Sequence, residues 1–339
     1  MPSLLRRTFL NYFRFSIVIC GIALLAAFLP RVDSGAESWP PWGAYNPLKL
    51  LRSRPVPEGS WTFAAYGDTK GAEFHRTRTI PALLKLNPTL IINTGDVVNY
   101  GNGSGAKRKD WPAWERESHE LRYRIPFFPI FGNHEFKGRG LLGLPWGNGA
   151  ELYRQFYDLP EDSGGHKLYY SFVYGNVTFI ALATWGDSLH PGSPQWRWLE
   201  MTLKEAKTPH IVTLTHTHIY TVGAKPDSLW EYAPEFTLLL KKYGVKLHLS
   251  GHDHIYYRTV RDGVTFVITA GGGADMYPLK HLGNAIPGDV YFTGSGKKNK
   301  DDFYYYTLFE IRGDVITGKA VSIKTGKVLD TFTVSARKQ

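Results

Sequence analysis

The chain has 339 residues, of which 43% are hydrophobic and 14% aromatic. This composition excludes a disordered or collagen-like protein, because such chains lack the apolar side chains of a large core. The formal net charge of +10 favours anionic partners such as phosphates, nucleic acid or an anionic membrane surface. The single cysteine, Cys20, excludes a fold held by intrachain disulfides, so the core or a metal ion must stabilise it.

The chain begins with the pattern of an export signal. Arg6, Arg7 and Arg14 precede an uncharged apolar run at 15–29, and the small residues at 34–36 fit a cleavage site. The apolar run is shorter than the roughly 20 residues of a comfortable membrane span, which favours a cleaved signal over an anchor. In both cases the arginines keep the N-terminus cytoplasmic, so the body is predicted to be exported to the periplasm or beyond the cell.

Three segments are predicted along the chain: a signal peptide or N-terminal membrane anchor at 1–36, a Pro-rich linker at 37–59, and one folded domain at 60–339. In the first part of the domain, short apolar runs alternate with helical patterns, which predicts right-handed crossovers and a parallel sheet. The predicted elements there are strands at 61–67, 89–93 and 126–131 and helices at 74–86 and 111–124.

The second part of the domain combines further crossovers with hairpins. Gly175-Asn176 and Asp262-Gly263 are turn signals between apolar runs and predict two hairpins. Alternating strands from Tyr304 to Val334 predict a second, largely antiparallel sheet. The remaining predicted elements are helices at 195–207 and 228–243 and strands at 210–215 and 245–249.

Side chains that can bind metal ions follow five of the predicted strands. They are Asp68, Asp96, Asn133, His216, and the pair His252 and His254. A Gly-Asp turn alone is common, but strand ends at one edge of a sheet are where such folds place ligand sites. The two histidines of the pair should point the same way if the chain stays extended. Carboxylate, amide oxygen and imidazole together suit Mn, Fe or Zn better than Ca.

The series GD, GD, GNHE, H and GHDH resembles the calcineurin-like metallophosphoesterase family, which includes purple acid phosphatases and phosphodiesterases. The resemblance covers roughly residues 61–270. It implies an α/β fold, a four-layer α/β/β/α sandwich with two mixed sheets, and two metal ions. By the same resemblance Asp96 bridges the ions, Asp68 and His254 bind one, Asn133, His216 and His252 bind the other, and His134 stands beside the attacked phosphorus.

The chemistry implied by the resemblance suits these residue types. Two metal ions roughly 3.5 to 4 Å apart clamp the phosphoryl oxygens and acidify a bound water, whose hydroxide attacks in line. The imidazole of His134 can bind the phosphoryl oxygens or protonate the leaving group. Glu135 could orient His134 or be a solvated side chain.

The metal site implied for Asp68 and His254, called the first metal site below, departs from the family pattern. Lys70 stands where the usual Asp-x-His motif has a histidine, and Asn99 stands where purple acid phosphatases have a tyrosine, with Tyr100 one residue late. The site therefore looks one ligand short. His75 could complete it or lie on the surface, and Lys70 could bind phosphate or be a solvated loop residue. His218 is expected behind the ligands or as a structural histidine.

These observations predict an exported, metal-dependent phosphoesterase with two divalent or trivalent ions (Mn, Fe or Zn). It would hydrolyse a small phosphate mono- or diester and could associate with a membrane through its N-terminal segment. One alternative is a nuclease or nucleotide phosphodiesterase, but no basic run interleaved with aromatics is present, so nucleic acid is not the expected partner. The other is a non-catalytic metal-binding module that has lost its first site.

Overall fold

The computed structural model describes residues 40–98, 108–136, 149–160, 167–225 and 231–338. The chain divides into two units after Gly43. Of the first unit only residues 40–43 are described, and they form a turn in which the N–H of Gly43 donates to the carbonyl of Pro40. The predicted signal or anchor at 1–36 lies outside the described residues. Within the described ranges, no helix combines the length and apolarity needed to cross a bilayer.

The first sheet has six strands and mixes parallel with antiparallel pairing. Its parallel part consists of β1 (Ser60–Tyr66), β2 (Leu90–Asn93) and β3 (Phe127–Pro129). Its antiparallel part consists of β11 (Tyr305–Arg312), β12 (Val315–Ser322) and β13 (Val328–Ser335). Because β11 pairs with the free edge of β1, the strand order is β13-β12-β11-β1-β2-β3.

The second sheet has seven strands and is also mixed. Its strands are β4 (Tyr170–Tyr174), β5 (Val177–Leu182), β6 (His210–Thr215), β7 (Leu247–Ser250), β8 (Tyr256–Arg261), β9 (Val264–Thr269) and β10 (Val290–Phe292). The order is β10-β8-β9-β7-β6-β5-β4, and neighbours are parallel from β5 through β6 and β7 to β9.

Seven α-helices connect or flank these strands in the described ranges. They are α1 (Pro47–Arg52), α2 (Ile80–Leu86), α3 (Trp111–Arg124), α4 (Asn133–Phe136), α5 (Gly149–Phe156), α6 (Pro194–Glu205) and α7 (Ala233–Lys242). A π-helical turn, His75–Thr79, precedes α2, and single 3₁₀ turns occur at Leu282–Asn284 and Lys300–Phe303. Helix α6 shows why a helix begins where it does: the Ser193 hydroxyl accepts from the N–H of Trp196, and Pro194 takes the first position.

Aromatic side chains fill the space between the two sheets. Phe63 of β1 meets Phe179 of β5 edge to face at 5.2 Å, and Phe128 of β3 stacks on Phe172 of β4 at 3.9 Å. Neighbouring residues point the other way, as strand alternation requires, so that Phe127 meets Trp114 of α3. On the far side of the second sheet, helix α7 packs on β7 through Phe236 and His248. The predicted four-layer α/β/β/α sandwich is therefore confirmed.

The terminal strands correct one expectation. Strands β11 to β13 were predicted to form a second sheet, but they extend the first sheet along β1. Alternating residues indicate that a segment is a strand without saying which free edge it joins. Both predicted hairpins are confirmed, as β4–β5 and β8–β9. Asp262 and Gly263 both have positive φ, as the tight turn between β8 and β9 requires.

Part of the segment predicted as a linker, residues 37–59, is packed onto the domain. Tyr45 is buried, its hydroxyl donates to the carbonyl of Arg122 at 2.7 Å, and it accepts from the N–H of Phe127 at 3.0 Å. Leu51 of α1 is buried as well. The residues after Gly43 therefore contribute to the folded unit that runs from Ala44 to Gln339.

Candidate metal centre

The predicted ligands meet at one end of the sandwich, where strands of both sheets finish. Asp68 and Asp96 follow β1 and β2, and Asn133 opens α4 shortly after β3. The second sheet contributes His216 directly after β6, and His252 and His254 after β7. Side chains from distant parts of the sequence therefore come together because parallel strands share one carboxyl edge.

One group of ligand atoms surrounds His216. Asp96, His216 and His252 offer atoms that all lie within 4.8 Å of one another. The Nε2 atom of His216 is 3.3 Å from Oδ1 of Asp96, 2.9 Å from Oδ1 of Asn133 and 3.2 Å from Nδ1 of His252. A carboxylate, an amide oxygen and two imidazoles at this spacing could hold a borderline divalent ion.

Asp68 and His254 form a second pair of candidate ligands. The Nε2 atom of His254 is 3.3 Å from Oδ1 of Asp68. Both this nitrogen and Oδ2 of Asp96 are buried without a hydrogen-bond partner. Buried polar atoms are rarely left so, and a bound cation would satisfy the nitrogen of His254. Asp68 and His254 could therefore contribute two ligands to a second metal ion, whereas Oδ2 of Asp96 lies 3.5 Å from Nζ of Lys70.

Backbone carbonyls orient the two outer imidazoles. Nδ1 of His216 lies 2.7 Å from the carbonyl of Thr94, and Nδ1 of His254 lies 2.6 Å from the carbonyl of Asp275. A proton on Nδ1 in each bond leaves Nε2 free to face the ligand group, which is the usual arrangement behind metal-binding histidines. These carbonyl partners could not be predicted from the sequence, since any residue can supply a carbonyl.

Backbone strain is concentrated at this site. Asp68, Lys70, Asp96 and His252 have φ values of 58°, 48°, 57° and 71°, and they are four of the seven described non-glycine residues with positive φ. Such conformations persist only where the surroundings enforce them, and they are common at functional sites. The left-handed turn at His252 also corrects an expectation: the chain is not extended there, so His252 faces His216 while His254 faces Asp68.

Glu135 fastens the loops that carry two of the ligands. Its carboxylate accepts four backbone N–H groups at 2.9 to 3.2 Å, from Gly132, Asp96, Val97 and Val98. The side chain is fully buried, so the expectation of a solvated glutamate is wrong. Burial, followed by the nearby Asp96 carboxylate, raises the pKa of Glu135 to about 7, although the N–H donors act in the opposite direction.

His134 lies beside the carboxylate of Asp96 as a neutral imidazole. Its Nε2 is 3.6 Å from Oδ2 of Asp96, and its backbone N–H donates to Oδ1. Burial lowers the pKa of His134 to about 3, with the Asp96 charge opposing that shift. Burial alone would raise the pKa of Asp96, but His216, His134 and Lys70 hold it well below its usual value. A charged carboxylate beside a neutral imidazole is the result.

Lys70 points into the site. Its Nζ is 3.5 Å from Oδ2 of Asp96 and its side chain is only 17% exposed, so it is not a solvated loop lysine. It also hydrogen-bonds the hydroxyl of Tyr277, whose pKa is raised by burial. Tyr277 is a neighbour that the sequence did not reveal: its ring stacks on His254 at 4.0 Å, but it lies in a Gly-rich stretch without a motif.

His75 does not lie where the sequence placed it. Its ring is completely buried between Tyr66 at 5.7 Å and Trp114 at 5.8 Å, and its Nε2 faces the Tyr66 hydroxyl. His75 opens the π-helical turn that precedes α2, and its ring packs against Trp114 of α3. The structure thus supports neither expectation, ligand or surface residue. Asn99 and Tyr100, the other positions tied to this site, lie outside the described residues.

Two further residues support the pair at the end of β7. His218 is buried, and its ring packs on His252 at 5.9 Å. The carboxylate of Asp253 points away from its neighbouring histidines and accepts from the Thr221 hydroxyl at 2.6 Å and the Ala224 N–H at 3.2 Å. These contacts tie the loop after β6 to the loop after β7.

Comparison with known proteins adds independent findings. The family model described as calcineurin-like phosphoesterase matches residues 62–256. Probable purple acid phosphatase 20 of Arabidopsis thaliana is 32% identical over 209 residues, covering 59% of this chain and 46% of the relative. Human tartrate-resistant acid phosphatase type 5 is 24% identical over 283 residues, covering 73% and 84%. The purple acid phosphatase PPD1 from yellow lupin seeds superposes with a TM-score of 0.65 at 19% identity, covering 83% of this chain and 55% of that structure.

Fold and site together define an α/β/β/α sandwich that offers carboxylate and imidazole ligands at its strand ends. Because the family model matches more than half of the chain, the protein belongs to the calcineurin-like phosphoesterase family. The chain spans about half the length of the Arabidopsis purple acid phosphatases that it matches.

Proposed function

We propose that the protein is an exported, metal-dependent phosphoesterase that hydrolyses a phosphate mono- or diester at a two-metal centre. The position of the Asp96 carboxylate carries the proposal. Its Oδ1 is 3.3 Å from Nε2 of His216, while its Oδ2 is buried without a hydrogen bond and lies 3.5 Å from Nζ of Lys70 and 3.6 Å from Nε2 of His134. A carboxylate placed in this way can serve two cations at once, and phosphoester hydrolysis is the chemistry that paired cations favour.

The protein's own residues would position the substrate and the ions. When bound, two ions would supply Lewis-acid stabilisation of the phosphoryl oxygens and acidify a water molecule. Neutral His134 can donate a hydrogen bond to a phosphoryl oxygen, where charge builds up in the transition state. Lys70 can pair with a second phosphoryl oxygen as a compact charge. Glu135 would act indirectly, by holding the loops of Asp96 and Asn133 in place.

Export is part of the proposal and is supported by the basic, apolar and small-residue pattern of positions 1–36. A reporter fused after Gln339 should be active outside the cytoplasm, and cleavage would give a mature chain that starts at Glu37. Activity only in the cytoplasm would contradict export. An intact N-terminus found in the membrane fraction would favour the anchored form.

The experiment that tests the proposed activity compares the same substitution, aspartate to asparagine, at two positions. The protein is loaded with Mn, Fe or Zn, freed of excess metal, and assayed with p-nitrophenyl phosphate and bis(p-nitrophenyl) phosphate. Asp96→Asn should lose both metal and turnover. Asp262→Asn is the matched control, because Asp262 also has positive φ but lies in the β8–β9 turn, paired with Lys241.

The outcomes separate the proposal from its alternatives. About two metals per chain with ester turnover supports the phosphoesterase, and the preferred ester distinguishes a mono- from a diesterase. One metal and no turnover of either ester supports a non-catalytic metal-binding module. If Asp96→Asn keeps its metal and its rate, the proposed centre is misplaced.

A further inference from the structure

The amino ends of β6 and β7 border a groove of about 950 Å³ that is lined by basic residues. Six of its eleven lining residues are lysine or arginine and none is acidic: Lys207, Lys241, Lys242, Lys246, Arg337 and Lys338. They come from three separate parts of the chain, namely the segment before β6, the segment from α7 to β7, and the C-terminal segment after β13. Positive side chains that are far apart in the sequence therefore lie close together in the folded protein.

The groove is distinct from the candidate metal centre. Lys207 and Lys246 precede β6 and β7, whereas His216 and His252 follow the same two strands. Strand β6 has six residues, so the two ends of this part of the sheet are about 20 Å apart. A molecule bound in the groove would not contact the side chains of the candidate metal centre.

Most of the groove's positive charge is not neutralised within the described residues. Lys241 pairs with Asp262 at 2.9 Å, and Lys242 pairs with Glu200 at 2.8 Å. Within the described residues, Lys207, Lys246 and Lys338 make no ion pair. Arg337 donates to the carbonyl of Thr208 and to that of Ala206, which fix its position but leave its charge uncompensated.

We propose that this groove binds a linear polyanion built of phosphate units, of which inorganic polyphosphate is the simplest example. Four uncompensated cations lie along three chain segments, which suits a ligand with a row of negative charges better than a single small anion. Lys246 is half-buried, so a flat bilayer surface would reach it less well than a chain that enters the groove. Tyr243 is the one aromatic residue among those that line the groove.

The test measures binding of fluorescently labelled inorganic polyphosphate to the full-length protein at low and moderate NaCl. The groove variant is Lys207→Glu with Lys246→Glu. The matched control is Lys298→Glu with Lys327→Glu, which makes the same change in net charge at exposed lysines outside the groove. The groove variant should raise the Kd roughly tenfold or more, the control by about twofold or less, and added salt should weaken binding by the wild type.

Each result decides the proposal. Equal weakening by both variants would show attraction to overall charge, and no binding by the wild type would also overturn the proposal. Binding to phosphatidylglycerol vesicles without binding to polyphosphate would identify a membrane surface instead. If the unfolding temperature shows that the glutamates destabilise the protein, Lys207→Gln with Lys246→Gln replaces them and must still weaken binding more than the corresponding control glutamines.

Discussion

At the scale of single residues, Glu135 holds the loops of the candidate ligands Asp96 and Asn133 through hydrogen bonds to four backbone N–H groups. Glu135→Ala would leave those buried donors without an acceptor, at about 1 kcal/mol each. We expect the free energy of unfolding to fall by roughly 2–4 kcal/mol, measured by urea denaturation. Glu151→Ala on α5 is the control, because Glu151 is exposed, and the two variants should differ clearly. Equal effects would mean that the four bonds add little.

Lys70 should affect substrate binding and leave metal binding intact. Its Nζ faces Asp96, but a protonated amine is not a metal ligand, so Lys70→Ala should retain the metal content of the wild type. The loss of one charged contact to phosphate corresponds to roughly a tenfold or greater rise in KM. Lys70→Arg should recover part of the affinity, and Lys85→Ala on α2 serves as the remote control. Metal loss in Lys70→Ala would show instead that the lysine shapes the ligand site.

For single residues, the sequence predicted which side chains could bind a metal ion better than it predicted where each side chain points. Asp68, Asp96, Asn133, His216 and the pair after β7 could be predicted to converge because each follows an apolar strand. The sequence could not show that His252 adopts a left-handed conformation, since this depends on contacts such as the bonds from its N–H to Asp68. It also could not distinguish a buried Glu135 from a solvated one, because the four donors lie in two separate loops.

At the scale of elements, the π-helical turn before α2 begins at His75, whose burial makes it a source of acid sensitivity. Burial lowers the pKa of His75 from 6.5 to about 3. Between these values the unfolded chain binds a proton that the folded chain does not, so the free energy of unfolding falls as pH drops. The expected slope is about 1.4 kcal/mol per pH unit for this group.

His75→Phe should reduce that slope, because phenylalanine fits between Tyr66 and Trp114 and binds no proton. Urea denaturation between about pH 6 and pH 4 measures the difference from the wild type. His190→Phe, at an exposed histidine, should leave the slope nearly unchanged. The metal content of His75→Phe should equal that of the wild type. The loss of one metal ion per chain would show instead that His75 is a metal ligand.

The elements themselves were predicted best where local signals were strong. Helix α3 and strand β6 have the predicted bounds, since both combine a clear pattern with clear ends. Strands β11 to β13 were identified as strands but assigned to the wrong sheet. Their pairing is set by the edge of β1, more than two hundred residues earlier in the chain, and no local pattern carries that information.

At the scale of the whole molecule, the folded unit extends further toward the N-terminus than the sequence indicated. A chain that starts at Ala44 should unfold at the same temperature as one that starts at Glu37. A chain that starts at Ser60 lacks the buried Tyr45 and Leu51, each of which contributes about 1.5–3 kcal/mol through burial. Its free energy of unfolding should fall accordingly, as measured by calorimetry or urea denaturation. If all three chains were equally stable, the folded domain would begin at residue 60, as predicted from the sequence.

The bonds that Glu135 makes have a consequence for the kinetics of metal exchange. Since a carboxylate of the protein joins the loops of Asp96 and Asn133, the backbone around these ligands does not depend on an ion for its shape. Loading would then require no refolding step, and its rate would be set by how fast an ion sheds its water. A metal-depleted sample should therefore regain its ions within the time of mixing, and its near-ultraviolet circular dichroism should change little on chelation.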